Sequence, residues 1–174
     1  MILALDPGTR ESAFVLMEET TCRPEDFALD DNRLILRRME ELTRRPLRAV
    51  IIERVASYGM PVGQDVFLTC EWIGRFAQQA ENAGLTVHYV YRQEEKLAIC
   101  HDSRANDAAI RRALIDRFAA HDRRRGTGTK KNPDWFYGFR ADIWQAYAVG
   151  VTWICRQAER ELKTSAAGRR DDRG

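Results

Sequence analysis

The order of apolar runs in this 174-residue chain predicts an α/β domain with a mixed five-stranded sheet flanked by helices, in the element order β-β-β-α-β-α-β-α. Three observations carry that expectation. Residues 2–5 (ILAL) and 49–52 (AVII) are unbroken aliphatic runs, as in strands buried on both faces. Between and after them, apolar residues recur at helical spacing, first at Leu34, Met39 and Leu42 and then through residues 66–82. Finally, the segment from Ala141 through Cys155 is apolar nearly all round, which marks a helix packed deep against a sheet.

The first strand runs into Asp6, Pro7 and Gly8, and proline cannot donate to a ladder, so the strand stops with Asp6 at the rim of the core. Residues 12–19 (SAFVLMEE) are strand-like and pair back as a hairpin across residues 7–10. Residues 20–31 lack a firm period and leave room for a short edge strand at Phe27, Ala28 and Leu29. A helix over residues 32–45 takes Asp31 or Asn32 as its cap and ends at Pro46. The run 49–52 also ends on a carboxylate, Glu53.

Residues 66–82 form a long helix with Phe67, Cys70, Ile73, Phe76, Ala77 and Ala80 on one broad stripe, closed by Gly84. Residues 85–91 (LTVHYVY) are the fifth strand. A helix starting near Ala105 and Asn106 carries Ala109, Ile110, Ala113, Leu114 and Phe118, and gives way to a basic, glycine-containing loop at 123–132. The last helix covers residues 141–162. Residues 1–163 form one domain, and 164–174 read as a disordered basic tail.

The formal charge is only +2, yet arginines and lysines crowd into short runs at 44–45, 111–112, 123–125 and 130–131, which makes a polyanion a plausible partner. No apolar stretch approaches the roughly 20 residues of a membrane helix, and the first residues lack a basic start and a cleavage site, so a cytoplasmic protein is expected. Cys22, Cys70, Cys100 and Cys155 are too scattered for a zinc site or a disulfide framework and read as reduced, mostly core thiols.

Taken alone, Asp6 in Asp-Pro-Gly is a turn former whose carboxylate accepts the turn's own N–H groups. Its company changes that. Asp6 and Glu53 both terminate buried strands, and Asp142 opens a buried helix. If the first and fourth strands are neighbours, all three converge on one sheet edge. Two carboxylates about 4 Å apart repel by roughly 4 kcal/mol at an effective dielectric near 20, so a cation belongs among them. The donor set is all oxygen, which suits Mg²⁺ or Mn²⁺ rather than zinc. Two such ions per site form the usual clamp for attack of water on a phosphodiester.

The segments LALDPGTRESAFVL, VIIERVASYGMPVG and FRADIWQAYAVGV resemble the three acidic motifs of RuvC-type Holliday junction resolvases, which have the RNase H-like fold. SRANDAAIRRALIDRF and PDWFYGFRADIWQAYAV make the similarity closer to the RuvC-like proteins of phages and prophages. Together with IERVASYGMPVGQDVFLTCEWIGRF these segments follow one another along the chain in the right order. The resemblance implies a homodimeric crossover junction endodeoxyribonuclease that uses two Mg²⁺ or Mn²⁺ ions per active site. It would cut branched DNA symmetrically, leaving 5′-phosphate and 3′-hydroxyl ends, in DNA recombination or phage DNA processing.

Asp6, Glu53 and Asp142 match acidic motif positions. The family's further Asp, three residues before the last, falls on Phe139 here, and Asp107 is the substitute; the alternative is that Asp107 is a helix N-terminal charge. Lys96 matches a family lysine that approaches the scissile phosphate, or is a solvated surface lysine. Tyr58 and Met60, in the loop after Glu53, are candidates for touching the junction, although the family's aromatic wedge position holds Ala56. Arg104, Arg111, Arg123, Arg124, Arg125, Lys130 and Lys131 are candidates for phosphate contact. On the family pattern Phe67, Trp72 and Phe76 would anchor the dimer interface.

Three rivals stand beside this. Asp-x-Gly-Thr also opens sugar kinases, Hsp70 and actin, but no second phosphate loop is present. An RNA-cleaving branch of the RNase H-like fold shares the first motif. A non-catalytic DNA-binding protein would not need all three acids.

Overall fold

The computed structural model describes the backbone of residues 1–57, 59, 61–122 and 124–171, and the side chains of those residues up to 165. Five strands, β1 (Ile2–Asp6), β2 (Glu11–Met17), β3 (Pro24–Asp31), β4 (Ala49–Arg54) and β5 (Thr86–Tyr91), form one sheet in the order β3-β2-β1-β4-β5. β1 and β3 pair antiparallel to β2; β4 runs parallel to both β1 and β5. The expected mixed sheet and the β1–β4 pairing are therefore present.

Strand alternation divides the core into two layers. Leu3, Leu5, Phe14, Leu16, Val50 and Ile52 face α1 (Asn32–Leu42) and α2 (Gln64–Asn82). Ile2, Ala4, Val15, Met17, Ala49 and Ile51 face the other way, onto α5 (Ile143–Asp171) and α4 (Asp107–Phe118). Gly150 lets α5 lie close to the sheet: a Cβ there would come within 2.4 Å of Met17 Sδ and 3.1 Å of the Ala4 Cβ.

Several elements depart from expectation. The edge strand β3 has eight residues, because β2 offers it a full ladder from Glu11 to Met17. The helix α1 stops at Leu42, three residues early, with Asp31 as its cap accepting the Arg33 N–H. On α2 the buried residues are Thr69, Ile73, Phe76, Ala77 and Ala80, while Phe67 and Cys70 lie exposed. Cys22 is buried in the core and Cys100 and Cys155 pack half-buried against it, as expected of core thiols, while Cys70 lies exposed.

A helix that the sequence did not announce, α3 (Arg92–Cys100), follows β5 directly: Tyr91 ends the strand and caps the helix, donating its N–H to Glu94 Oε2 at 2.8 Å. At the other end of the chain α5 runs on to Asp171, continuing as helix where a disordered tail from 164 was expected; residues 172–174 lie outside the described residues.

Candidate active site

Two parities decide where the strand-end acids point. Asp6 follows Ile2 and Ala4, and Glu53 follows Ala49 and Ile51, so both carboxylates leave the sheet on the α5 side. Leu5 pairs with Ile52, which puts Asp6 and Glu53 one step further on in the same register. Asp142 stands immediately before α5, its backbone carbonyl accepting the Ala146 N–H at 2.9 Å.

The turn reading of Asp6 fails. Ser12 and Asn32 hold the loop after β1 instead: the Gly8 N–H donates to Ser12 Oγ at 3.2 Å, and Asn32 Nδ2 donates to the Gly8 carbonyl at 3.0 Å. Gly8 is needed for the tight return, since a Cβ would lie 2.4 Å from the Glu11 carbonyl oxygen. Asp6 is thus left free to face the acids. Burial and then the neighbouring Glu53, Asp142 and Glu95 hold its carboxyl well above the usual carboxylate range, with Glu53 in hydrogen-bond contact.

Glu95 is the site residue that sequence reasoning missed. It lies on α3, fully buried, between Arg92 and the strand-end acids. Burial first, then the charges of Glu53 and Asp107, raise its carboxyl well above the ordinary range against the pull of Arg92. One oxygen, Oε2, accepts from Arg92, and the other, Oε1, is buried with no partner. A buried carboxylate oxygen with nothing to bind is costly, and marks a place for a cation or an ordered water.

Arg92 ties the rim together. Its guanidinium bonds Glu95 and Asp107 and donates to Gln145 Oε1 at 2.6 Å, joining α3, α4 and α5. Burial works against its charge, but Glu95, Glu53 and Asp107 outweigh that and keep its pKa raised. Asp107 accordingly sits at the N-terminus of α4 as a partner of Arg92, with its side chain 74% exposed. Glu95 is a further acid whose charge reaches Asp6, while Asp107 acts on Glu95 and lines a groove with Asp142. Phe139 packs half-buried against the core, its ring 4.7 Å from Phe27 and 5.1 Å from Trp144, and offers no oxygen donor at that position.

Among the described residues no three His, Cys, Asp or Glu side chains stand close enough to hold an ion between them. The donor chemistry nevertheless fits a hard divalent cation: the acids are all oxygen donors, they repel one another, and Glu95 Oε1 lacks a partner.

The basic candidates divide. Arg111 and Arg125 line a groove that opens on Asp142. Arg124, Lys130 and Lys131 are exposed on the neighbouring loop, which is ordered around Asp122: its carboxylate accepts the N–H groups of Arg124 at 2.9 Å and Gly128 at 3.0 Å. Arg104 projects into solvent beside Asp102, before α4. Lys96 is half-buried on α3. Tyr58, Met60 and Arg123 lie outside the described residues. Of the interface candidates, Phe67 is exposed and Trp72 half-buried beneath Arg75, but Phe76 is fully buried in the chain's own core and presents nothing to a partner.

The sequence matches no family model and no curated protein. Its fold has solved counterparts. RuvC of Thermus thermophilus in complex with a Holliday junction substrate aligns with a TM-score of 0.67, covering 91% of this chain and 94% of that one at 15% identity. Another structure of the same organism's RuvC aligns with a TM-score of 0.63 over 91% of this chain and 95% of that one, at 17% identity. The chain has the RuvC fold. Within this RuvC fold the acids sit at the ends of parallel neighbours β1 and β4, where an α/β sheet offers its crevice to ligands. No helix among the described residues is long and apolar enough to cross a membrane.

Proposed function

We propose that this protein is a metal-dependent endonuclease that resolves four-way junctions and related branched DNA by hydrolysing phosphodiesters. The observation that carries this is the gathering of Glu53, Asp142 and Glu95 around Asp6, together with a buried Glu95 Oε1 that has no partner. Such a set is unfavourable until cations arrive. The RuvC fold of the junction-bound Thermus thermophilus protein supports the choice of substrate class.

In this reading Asp6, Glu53, Asp142 and Glu95 are the residues that would hold two Mg²⁺ or Mn²⁺ ions, whose chemistry would be water activation and charge neutralisation at the leaving 3′ oxygen. The chain does the rest. β1 and β4 fix two carboxylates on one rigid edge, while Arg92 holds Glu95 in place from α3 and is itself held by Gln145 and Asp107. Exposed Arg124, Lys130 and Lys131 grip backbone phosphates on a loop stiffened by Asp122, which orients the strand without selecting its sequence. The products carry 5′-phosphate and 3′-hydroxyl ends. Two subunits meeting across α2, through exposed Phe67 and the neighbouring Leu68, would nick the two strands symmetrically.

The test is cleavage of a synthetic four-way junction, a linear duplex and an RNA/DNA hybrid with Mg²⁺ or Mn²⁺, for the wild type and Asp6→Asn. Junction-selective cutting lost in Asp6→Asn is expected. Equal cutting of linear duplex would refute the branched-DNA reading, preference for the hybrid would favour an RNA-cleaving enzyme, and full activity of Asp6→Asn would refute the site.

A further inference from the structure

A groove of about 750 Å³ lies between α4 and the start of α5 and opens on Asp142. Its size falls within the roughly 300–1,000 Å³ of sites that seat small ligands. Its charges do not suit a simple phosphate track. Arg111, Arg112 and Arg125 line it, but so do Asp107, Asp116 and Asp142, so the formal charges cancel. A channel that only follows a nucleic-acid backbone is basic throughout.

What remains of the lining is mostly apolar, with Ile115, the small side chains of Ala108 and Ala141 and the ring of Trp144 beside one polar group, Gln145. The Arg111 guanidinium lies over that ring at 4.6 Å from its centroid. Trp144 is 7% exposed whereas Arg111 is exposed, so one face of the guanidinium rests on the indole while Arg111 stays open to solvent. The Trp144 Nε1–H is buried without an acceptor. Guanidinium planes and aromatic rings are the surfaces on which unpaired bases stack, and carboxylates beside them can accept from exocyclic amines.

We propose that this groove receives one unpaired base of the scissile DNA strand, stacked on Arg111, while the adjoining phosphate lies at Asp142. The inference rests on the branched-DNA reading above and adds to it. Pairs at a branch point lack an uninterrupted stack on one side, so drawing a base out there costs less than inside a continuous duplex. The groove would then decide which phosphate near the crossover is cut, and Arg111 would act through its plane rather than through its charge.

The experiment uses a four-way junction carrying 2-aminopurine at successive positions around the crossover, bound in Ca²⁺ so that it stays uncut. Wild type, Arg111→Lys and the groove-narrowing Ala108→Leu are compared, each first shown to melt with the wild type, as both positions are exposed. Expected is an emission change at one position with the wild type, lost in both variants. Arg111→Lys should also weaken binding roughly fivefold or more, as removal of one stacked surface does, while keeping the salt dependence because the charge is retained. With Mg²⁺ both variants should spread the cut over neighbouring phosphates.

An unchanged emission signal in Arg111→Lys would overturn the stacking role, as would junction binding with no signal at any position. If the wild type neither binds nor cuts the junction, the functional reading itself falls, and this inference with it.

Discussion

Replacing Asp6 with Asn should make the metal-free protein more stable at neutral pH. The ionised Asp6 carboxylate faces Glu53, Asp142 and Glu95 from a buried position, and its pKa is raised by burial and by those neighbours. A carboxyl whose folded pKa lies above its unfolded value contributes its full stability below the unfolded pKa, near 4, and loses it as pH rises through the folded pKa. The loss is bounded in two ways. Titrating from about pH 4 to pH 7 against a fully suppressed group costs at most about 4 kcal/mol, at 1.36 kcal/mol per unit. One like charge at about 4 Å and an effective dielectric of 20 gives a similar figure of about 4 kcal/mol.

Residual solvation at the rim brings the expected gain for Asp6→Asn to about 2 kcal/mol at pH 7, or about 4–8 °C in Tm for a chain of this size. Thermal unfolding followed by circular dichroism in EDTA, from pH 4 to pH 8, measures it. The gain should vanish toward pH 4, where the wild type is protonated. Added Mg²⁺ should raise the Tm of the wild type and leave that of the variant in place, reversing the order. An Asp6→Asn protein that melts below the wild type at pH 8 without metal, or a difference indifferent to pH, would refute the claim that the acids repel.

The division of labour between the two candidate fourth acids predicts that Glu95→Gln lowers junction cleavage about 100-fold or more while Asp107→Asn lowers it about tenfold, measured by single-turnover assays with binding in Ca²⁺ as control. Gly150→Val should destabilise by about 2–4 kcal/mol in urea titrations, because added methyls meet Met17 and Ala4 where α5 approaches the sheet. Joint replacement of Lys130 and Lys131 by Ala should weaken duplex and junction binding alike and reduce the slope of log K against log salt by about 0.9 for each phosphate no longer neutralised. Phe67→Asp should shift the sedimentation of any dimer toward monomer at micromolar protein without lowering Tm, since that side chain is 61% exposed.

Much of the candidate site was legible because two strands advertise themselves. An aliphatic run that stops on a carboxylate is rare enough that its repetition at Asp6 and Glu53 points to one edge, and the parity of the β1 and β4 side chains then sends both acids toward α5. Glu95 was hidden for a physical reason. RQEEK looks like the solvated face of a helix or loop, and β5 passes into α3 without the Gly, Pro or Asn that usually mark a boundary. One signal was available: β5 is parallel to β4, so a residue one turn beyond its end falls on the same rim. The α2 stripe misled in a different way. Spacing places Phe67 and Phe76 on one broad face, but only the later turns of that helix reach the sheet, so Phe76 is core and Phe67 is surface.

The direct passage from β5 into α3 also limits how this chain can vary in length. With Tyr91 serving as the last strand residue and the helix cap at once, no slack separates the sheet from Glu95. One extra residue at that joint would turn everything after it by about 100°, carrying Glu95 and Arg92 off the rim together. The ordered loop after α4 has no such coupling to the strands. On the proposed function, insertions there would alter the grip on DNA and leave the four carboxylates where they are, so the acidic edge and the basic loop can be lengthened or trimmed independently.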